Sequence, residues 1–521
     1  MSSVTLANQE HSSHGKVSNR KFYPEKQTAT PERDRVVESN SHHLEQSTAL
    51  IIFRCIYNIY FHPLASFPGP LRYGASELAL RWHQVRGREP FALMKLHQMY
   101  GPVVRIGPND ISYTNAEAWP TIFGRHDPDL DFYGALGLFS ADGEHHFRQR
   151  RQLAPAFSER ALREQEPIIT DYIDRSMERL GENAQAGTPV DLSSWFNFVT
   201  FDIIGDLTFG HDVFGCVEKS RYHPLISELL ARLQMLVVAI AIQSVAPWLA
   251  AVLNFLMARR IRERHTAQAN TIKSMVRERL RTASSRPDFT NQIIREVKSG
   301  EPSMLDNGEI HPTSGQILLA GSETVATALS GCVALLLQSP DVMAKLKYEI
   351  RTNFRCESDI NSSTLPNQKY LLAVIHEAMR LYPPTPNFLR RYVPAGGCTI
   401  QGRFIPGGTA VGFTSFPAYR DESYFRDANE FIPERWLGTD PRYESDNQSV
   451  VQHFGFGPMN CLGVNLARLE LRMILARLLW KFDMEPIPSD RNWFDQKAFV
   501  IWFRGPLLVR LVHKEISSEV S

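Results

Sequence analysis

The run Phe454-Gly-Phe-Gly-Pro-Met-Asn-Cys-Leu-Gly463 constrains this chain more than any other stretch. It packs Gly455, Gly457 and Gly463 around one cysteine, Cys461. Glycine adopts backbone conformations that other residues resist and lets a flat neighbour approach closely. The cysteine leads directly into a helical pattern. Leu466, Leu469, Met473, Ala476 and Trp480 recur at gaps of 3, 4, 3 and 4 and so share one helical face. A thiolate just before a helix N-terminus is stabilised by the free amide N–H groups and the helix dipole. Such a sulfur serves as a nucleophile, as a metal ligand or as an inert buried thiol, and spacing alone does not choose among these.

Composition removes several classes. Lys and Arg number 57 against 56 Asp and Glu, a formal net charge of +1, which argues against a dedicated nucleic-acid binder. The six cysteines are scattered, with no C-x-x-C pair. A disulfide scaffold and a structural zinc module are both excluded, and a reducing compartment is expected. The length of 521 residues corresponds to three or four domains at about 150 residues each.

Residues 1–46 are polar and mixed in charge, too poor in apolar side chains to offset their ordering entropy, and are expected to be disordered. No apolar core follows a basic start, so they are not a secretory signal. Residues 47–66 form a short apolar segment carrying Arg54. It falls short of the roughly 20 residues a bilayer span needs, which suits an interfacial helix or a shortened anchor. Leu233–Ala258 is free of charge. Gln243, Ser244 and Pro247 interrupt it, so two helices joined by an apolar loop near Pro247 are expected, capping a pocket or touching a membrane surface.

The rest, 67–514, reads as one continuous body before a tail at 515–521. Gly101–Tyr113 alternates apolar and polar residues between Gly-Pro breaks and predicts a strand pair. Helical patterns dominate from about 140 to 350. Short strands return over Arg391–Gly412 and Val500–Val512. The fold class is therefore mainly α with small β-sheets.

Three further segments carry chemistry. On the helix ending at Pro383-Pro384, Glu377 and Arg380 are three apart and share a face. A helix over about Thr313–Gln338 contains Ala320-Gly-Ser-Glu-Thr324, a polar interruption of an apolar pattern. Its threonine could equally bond back to its own helix. Gly143–Phe157 places His146 and Arg150 four apart on one face.

Together with Phe-Pro-Gly-Pro70 near the start, these segments closely resemble the cytochrome P-450 family, the haem-thiolate monooxygenases. The resemblance covers about residues 60–514. It implies one large haem-enclosing domain, since His146, Thr324, Arg391 and Cys461 must then meet one cofactor. Phe454, Gly457, Cys461 and Gly463 stand where the family's cysteine loop has them. Cys461 would be the thiolate ligand of haem b iron, with electron donation that favours O–O cleavage. Met459 stands where relatives usually carry Arg or His against a haem propionate. His146, Arg150 and Arg391 match other propionate-binding positions. Glu377, Arg380 and Arg435 match a structural lock that holds the cysteine loop. Glu323 and Thr324 match the pair that relays protons to bound dioxygen.

The resemblance also implies monooxygenation of a lipophilic small molecule, with NADPH electrons delivered by a separate flavin-containing reductase. Arg468, Arg472 and Lys481 are plausible docking contacts for that reductase. Pocket positions would include Phe132, Leu136, Ile317, Phe388 and Trp502, an apolar set. Tyr60-Phe-His-Pro-Leu64 and Phe431–Trp436 look like filamentous-fungal secondary-metabolism members. A terpenoid, polyketide or alkaloid-like substrate and a cytosol-facing enzyme at the endoplasmic reticulum membrane follow as expectations. Desaturation, oxidative coupling or rearrangement on the same fold stays open. So does a haem-binding relative impaired at Met459.

Overall fold

A computed structural model of the chain describes residues 31–124, 143–210, 212–282, 286–291 and 308–514. The expected positions Phe132 and Leu136, the first thirty residues and the 515–521 tail lie outside the described residues. The chain divides into two units, Met1–Arg54 and Cys55–Ser521.

In the first unit, helix α1 (Pro31–Tyr60) begins inside the segment expected to be disordered and runs on into the second unit. Proline is preorganised for the first position of a helix, and neither Gly nor Pro follows until after Tyr60. Leu50, Ile51, Ile52 and Phe53 are exposed.

The second unit continues with α2 (Leu71–Ala75), α3 (Leu78–Val85), α4 (Glu89–Tyr100), β1 (Val103–Gly107), β2 (Asp110–Tyr113), α5 (Gly143–Leu153) and α6 (Glu159–Gln185). Next come β3 (Val190–Asp191), α7 (Leu192–Phe209), α8 (Cys216–Lys219), α9 (Pro224–Val245), α10 (Pro247–Arg281), α11 (Ile310–Gln338), α12 (Pro340–Asn353) and α13 (Lys369–Leu381). The chain then forms β4 (Leu389–Tyr392), β5 (Cys398–Ile400), β6 (Arg403–Ile405), β7 (Ala410–Phe413), α14 (Ser415–Ala418) and α15 (Val464–Lys481). It ends in β8 (Phe482–Pro486), β9 (Lys497–Phe499), β10 (Ile501–Phe503) and β11 (Leu508–His513).

Two helices organise this body. α7 is apolar on nearly every side, so it must be enclosed, and every residue but Ser194 is buried. Asp191 caps it, accepting the Ser193 N–H at 3.1 Å. It packs along α11. At Gly321 the packing is tight: a Cβ there would come within 2.6 Å of Ile204. The glycine that looked out of place in the apolar pattern is what lets the two helices meet. Ser339 and Pro340 end α11 because proline offers no N–H to continue the ladder and starts α12 instead.

The expected strand pair is present as β1 and β2, which pair antiparallel. β2 pairs parallel with β7 and β7 antiparallel with β4, in the order β1-β2-β7-β4. This sheet holds Arg391 opposite Val411. α9 and α10 replace the expected helix–loop–helix with almost no loop: Ala246 alone joins them. Pro247 cannot extend α9 but suits the first position of α10.

Candidate active site around Cys461

The glycine loop turns tightly before α15. Gly455 and Gly457 both have positive φ, 74° and 72°, a region that costs other residues free energy. At Gly457 a Cβ would also overlap the carbonyl oxygen of Phe123. The Cys461 N–H closes the loop onto the Phe454 carbonyl at 2.7 Å. Arg468, one turn into α15, stands over the Phe454 ring at 5.4 Å. Cys461 keeps an accessible side chain. The protein around it nevertheless pushes its thiol pKa up by desolvation, and the Gly463 N–H and Arg150 pull the other way.

Cations gather beside this thiol. Burial, Arg150 and Arg391 together lower the His146 pKa to about 4. Burial lowers that of Arg391 to about 10. His146 is buried, and its Nδ1 has no hydrogen-bond partner among the described residues. A thiol at a helix N-terminus with two guanidiniums and a neutral histidine nearby fits haem, which brings an iron and two carboxylates. Arg150 is bonded to the cysteine loop itself. It donates from Nη1 to the Asn460 carbonyl at 2.6 Å and from Nη2 to Asn460 Oδ1 at 2.5 Å. Asn460 offers two acceptors to a rigid two-pronged donor, so Arg150 secures the peptide preceding Cys461.

The expected lock is assembled. Glu377 and Arg380 are completely buried and Arg435 nearly so. Arg380 donates to both Glu377 oxygens at 2.8 and 2.7 Å, and Arg435 to Oε1 at 3.0 Å. Trp436 Nε1 and the Ile432 N–H complete the shell at 2.8 and 3.1 Å. Arg380 also donates to the carbonyls of Tyr419, Ala428 and Glu430. Arg435 pairs with Asp446 as well. Burial raises the Glu377 pKa while the two guanidiniums lower it, and the net direction is downward. A carboxylate with this many donors is held ionised.

On α11 the two expected proton-relay residues point to different partners. Thr324 is half-buried, and its hydroxyl donates to the Ala320 carbonyl at 2.7 Å, the self-bonding alternative. Glu323 is buried, and its Oε2 accepts from Arg504 Nη2 at 2.8 Å. Thr200 of α7 donates to the Ser322 carbonyl at 3.1 Å, fastening the same turn from outside.

Among the expected pocket residues, Trp502 packs against Tyr382. It is buried, donates to the Pro383 carbonyl at 2.8 Å and stacks on Tyr382 at 5.1 Å. A ring bonded and stacked in this way is held in a fixed orientation. Ile317 and Phe388 are also buried. Phe388 lies beneath Arg390, whose guanidinium sits 5.5 Å above it.

Four residues of consequence escaped the sequence expectations: Asn460, Asp446, Asn197 and Arg504. Asn460 lay inside the motif, where its adjacency to Cys461 was a signal. Arg504 meets Glu323 across 181 positions, and no local pattern announces such a pair.

The cytochrome P450 family model matches residues 76–505. The cytochrome P450 monooxygenase lcsI of Purpureocillium lilacinum is 39% identical over 482 residues, covering 89% of this chain and 92% of that protein. The cytochrome P450 monooxygenase astA of Talaromyces wortmannii is 39% identical over 467 residues, 88% of this chain and 93% of the relative. An averantin hydroxylase of Dothistroma septosporum is 37% identical over 474 residues, 88% and 89% of the two chains. With a reachable thiol at the head of α15, a buried Glu377–Arg380–Arg435 lock and matches over most of its length, this chain belongs to the cytochrome P450 family, as a monooxygenase of the fungal secondary-metabolism kind.

Proposed function

We propose that the chain binds haem b through Cys461 and inserts one oxygen atom of dioxygen into a lipophilic secondary metabolite of terpenoid, polyketide or alkaloid type. When bound, the haem supplies dioxygen activation and electron transfer at iron. The chain's own residues supply the setting. The Gly463 N–H and the Arg150 charge favour the Cys461 thiolate. His146 and Arg391 receive the haem carboxylates. The buried lock keeps the loop from shifting when the thiolate binds metal. Thr324 holds a proton at Oγ1, now engaged with the Ala320 carbonyl. Glu323, the neighbouring residue, is the store from which Thr324 is resupplied.

The observation that carries this reading is the convergence of an accessible Cys461 with His146, Arg150 and Arg391. NADPH electrons enter through a separate flavin reductase on the α15 side. Arg468 is exposed there and Arg472 half-buried, while Lys481 sits 3.8 Å from Glu357 and contributes less free charge. Turnover with that reductase under isotopically labelled dioxygen tests the reaction. The expected product carries one labelled atom. An oxidised but unlabelled product would assign the chain to desaturation, coupling or rearrangement.

Membrane attachment rests on exposed apolar side chains. α9 is long and apolar enough to cross a membrane, and so is α11, which is mostly buried. Met235, Leu236 and Ile240 of α9, and Trp248, Phe255 and Leu256 of α10, are exposed. α3 packs on α9 and adds exposed Leu78 and Trp82. This surface suits an endoplasmic reticulum bilayer facing the cytosol. Retention in the membrane pellet after a carbonate wash would assign a spanning anchor, and release would assign peripheral attachment.

A further inference from the structure

Between α9 and α10 lies a polar pair that the proposed reaction does not use. Arg232 of α9 donates from Nη1 to Gln268 Oε1 of α10 at 3.1 Å. Gln268 is only 6% exposed, and its Nε2 has no hydrogen-bond partner among the described residues. A guanidinium can only donate, so it fixes the oxygen of the Gln268 amide on its own side. The amide nitrogen is thereby turned away from Arg232.

Gln268 belongs to the inward stripe of α10. Ile272 and Val276 follow it at gaps of four and are also buried. Ile272 meets α11 at Gly315, where a Cβ would come within 2.9 Å of its Cδ1. Further along α10, the charges of Lys273 and Arg277 reach His311, which comes earlier on α11. The two helices therefore run antiparallel, and the turn of α10 before Ile272 faces the turn of α11 after Gly315. That is the stretch leading through Leu319 toward Thr324. On α11, Gln316, Ala320 and Thr324 are spaced four apart and half-buried, whereas most of the helix is enclosed. This face borders open space, and the register puts Gln268 beside it. A buried donor without an acceptor destabilises a fold, and functional sites are where such a conflict is retained.

We propose that Gln268 is a specificity-determining residue of the substrate site: its Nε2 donates to a ketone, quinone or amide carbonyl already present on the lipophilic substrate. Arg232 is the positioning residue that holds the amide in that orientation. This rests on the reading of the chain as an oxygenase of lipophilic secondary metabolites and narrows it. A bare hydrocarbon would leave the same N–H buried and unpaired, so the site discriminates against it. The reaction that supplies the substrate is then one that leaves a carbonyl on the scaffold: a polyketide-type condensation, an amide-bond formation or a prior oxidation.

Two measurements on the haem-loaded full chain test the proposal. The first needs no ligand. Gln268→Met removes the unpaired donor and nearly keeps the volume, and Arg232, which is exposed, can bond to water instead. The melting temperature without ligand should be unchanged or higher. A fall of several degrees would make the pair a helix-packing contact and overturn the proposal.

The second is the spin-state shift of the haem absorbance, titrated with shape-matched probes: 9-fluorenone against fluorene, and camphor against bornane. In the parent the carbonyl member of each pair should bind about tenfold tighter. The preference should vanish in Gln268→Met, shrink in Arg232→Leu, where the amide is free to turn, and persist in Arg232→Lys, which still donates. Equal binding within both pairs, no response to either carbonyl probe, or a preference that survives in Gln268→Met would overturn the proposal while leaving the oxygenase reading in place. A parent that incorporates no labelled oxygen into any product would overturn that reading, and this proposal with it.

Discussion

At the scale of single residues, the most costly change should be at Glu377. Its two oxygens receive donors from Arg380, Arg435, Trp436 and the Ile432 N–H. Glu377→Ala leaves two guanidiniums buried without their anion, a loss of about 3–5 kcal/mol. Chemical denaturation of the haem-loaded protein measures it, and a loss under about 1 kcal/mol would remove the lock from the account. His97 sets an acid limit. It is buried, with Nδ1 at 2.9 Å from the Gly101 carbonyl and Nε2 at 2.8 Å from Ser112 Oγ. Burial lowers its pKa to about 4. The unfolded chain takes up this proton near pH 6.5 and the fold only near 4, so stability is lost as pH falls between the two. The full loss is on the order of 3 kcal/mol. Melting temperatures measured from pH 7 to pH 4 should therefore fall less steeply in His97→Gln than in the parent.

At the scale of elements, legibility followed the range of the interaction. The α15 stripe, the end of α11 at Ser339-Pro340 and the β1–β2 pair are local patterns, and each is where it was expected. Gly321 was noticed for the right reason, a conflict with its surroundings, but the conflict has a packing cause as well. Filling the space beside Ile204 should push α7 and α11 apart. Gly321→Val is expected to cost about 1–3 kcal/mol and to loosen the turn that carries Glu323 and Thr324. Thermal unfolding checks the cost, and an unchanged melting temperature would show that α7 can yield. The neighbours of Trp502 were not legible, because an aromatic residue in a C-terminal strand looks the same whether it faces a ligand or a neighbouring tyrosine. The contact with Tyr382 bridges 120 positions, beyond the reach of any periodic pattern.

At the scale of the molecule, length suggested three or four domains, whereas residues 55–521 form one compact unit. The reason is convergence. Arg150 on α5, Arg391 on β4 and Cys461 before α15 come from distant parts of the chain, and their charges act on one another or on His146. Met459 removes one cation from this gathering, and Arg150 is occupied with Asn460. Met459→Arg should therefore slow haem loss to apomyoglobin, and an unchanged rate would show that His146 and Arg391 already suffice. The central claim, that Cys461 is the thiolate ligand of a bound haem, is tested most directly by the carbon monoxide difference spectrum of the reduced protein. A thiolate-type Soret band is expected in the parent chain, and its loss is expected in Cys461→Ser with the fold retained. A parent that takes up haem yet shows no such band, or a serine variant that keeps it, would contradict the account.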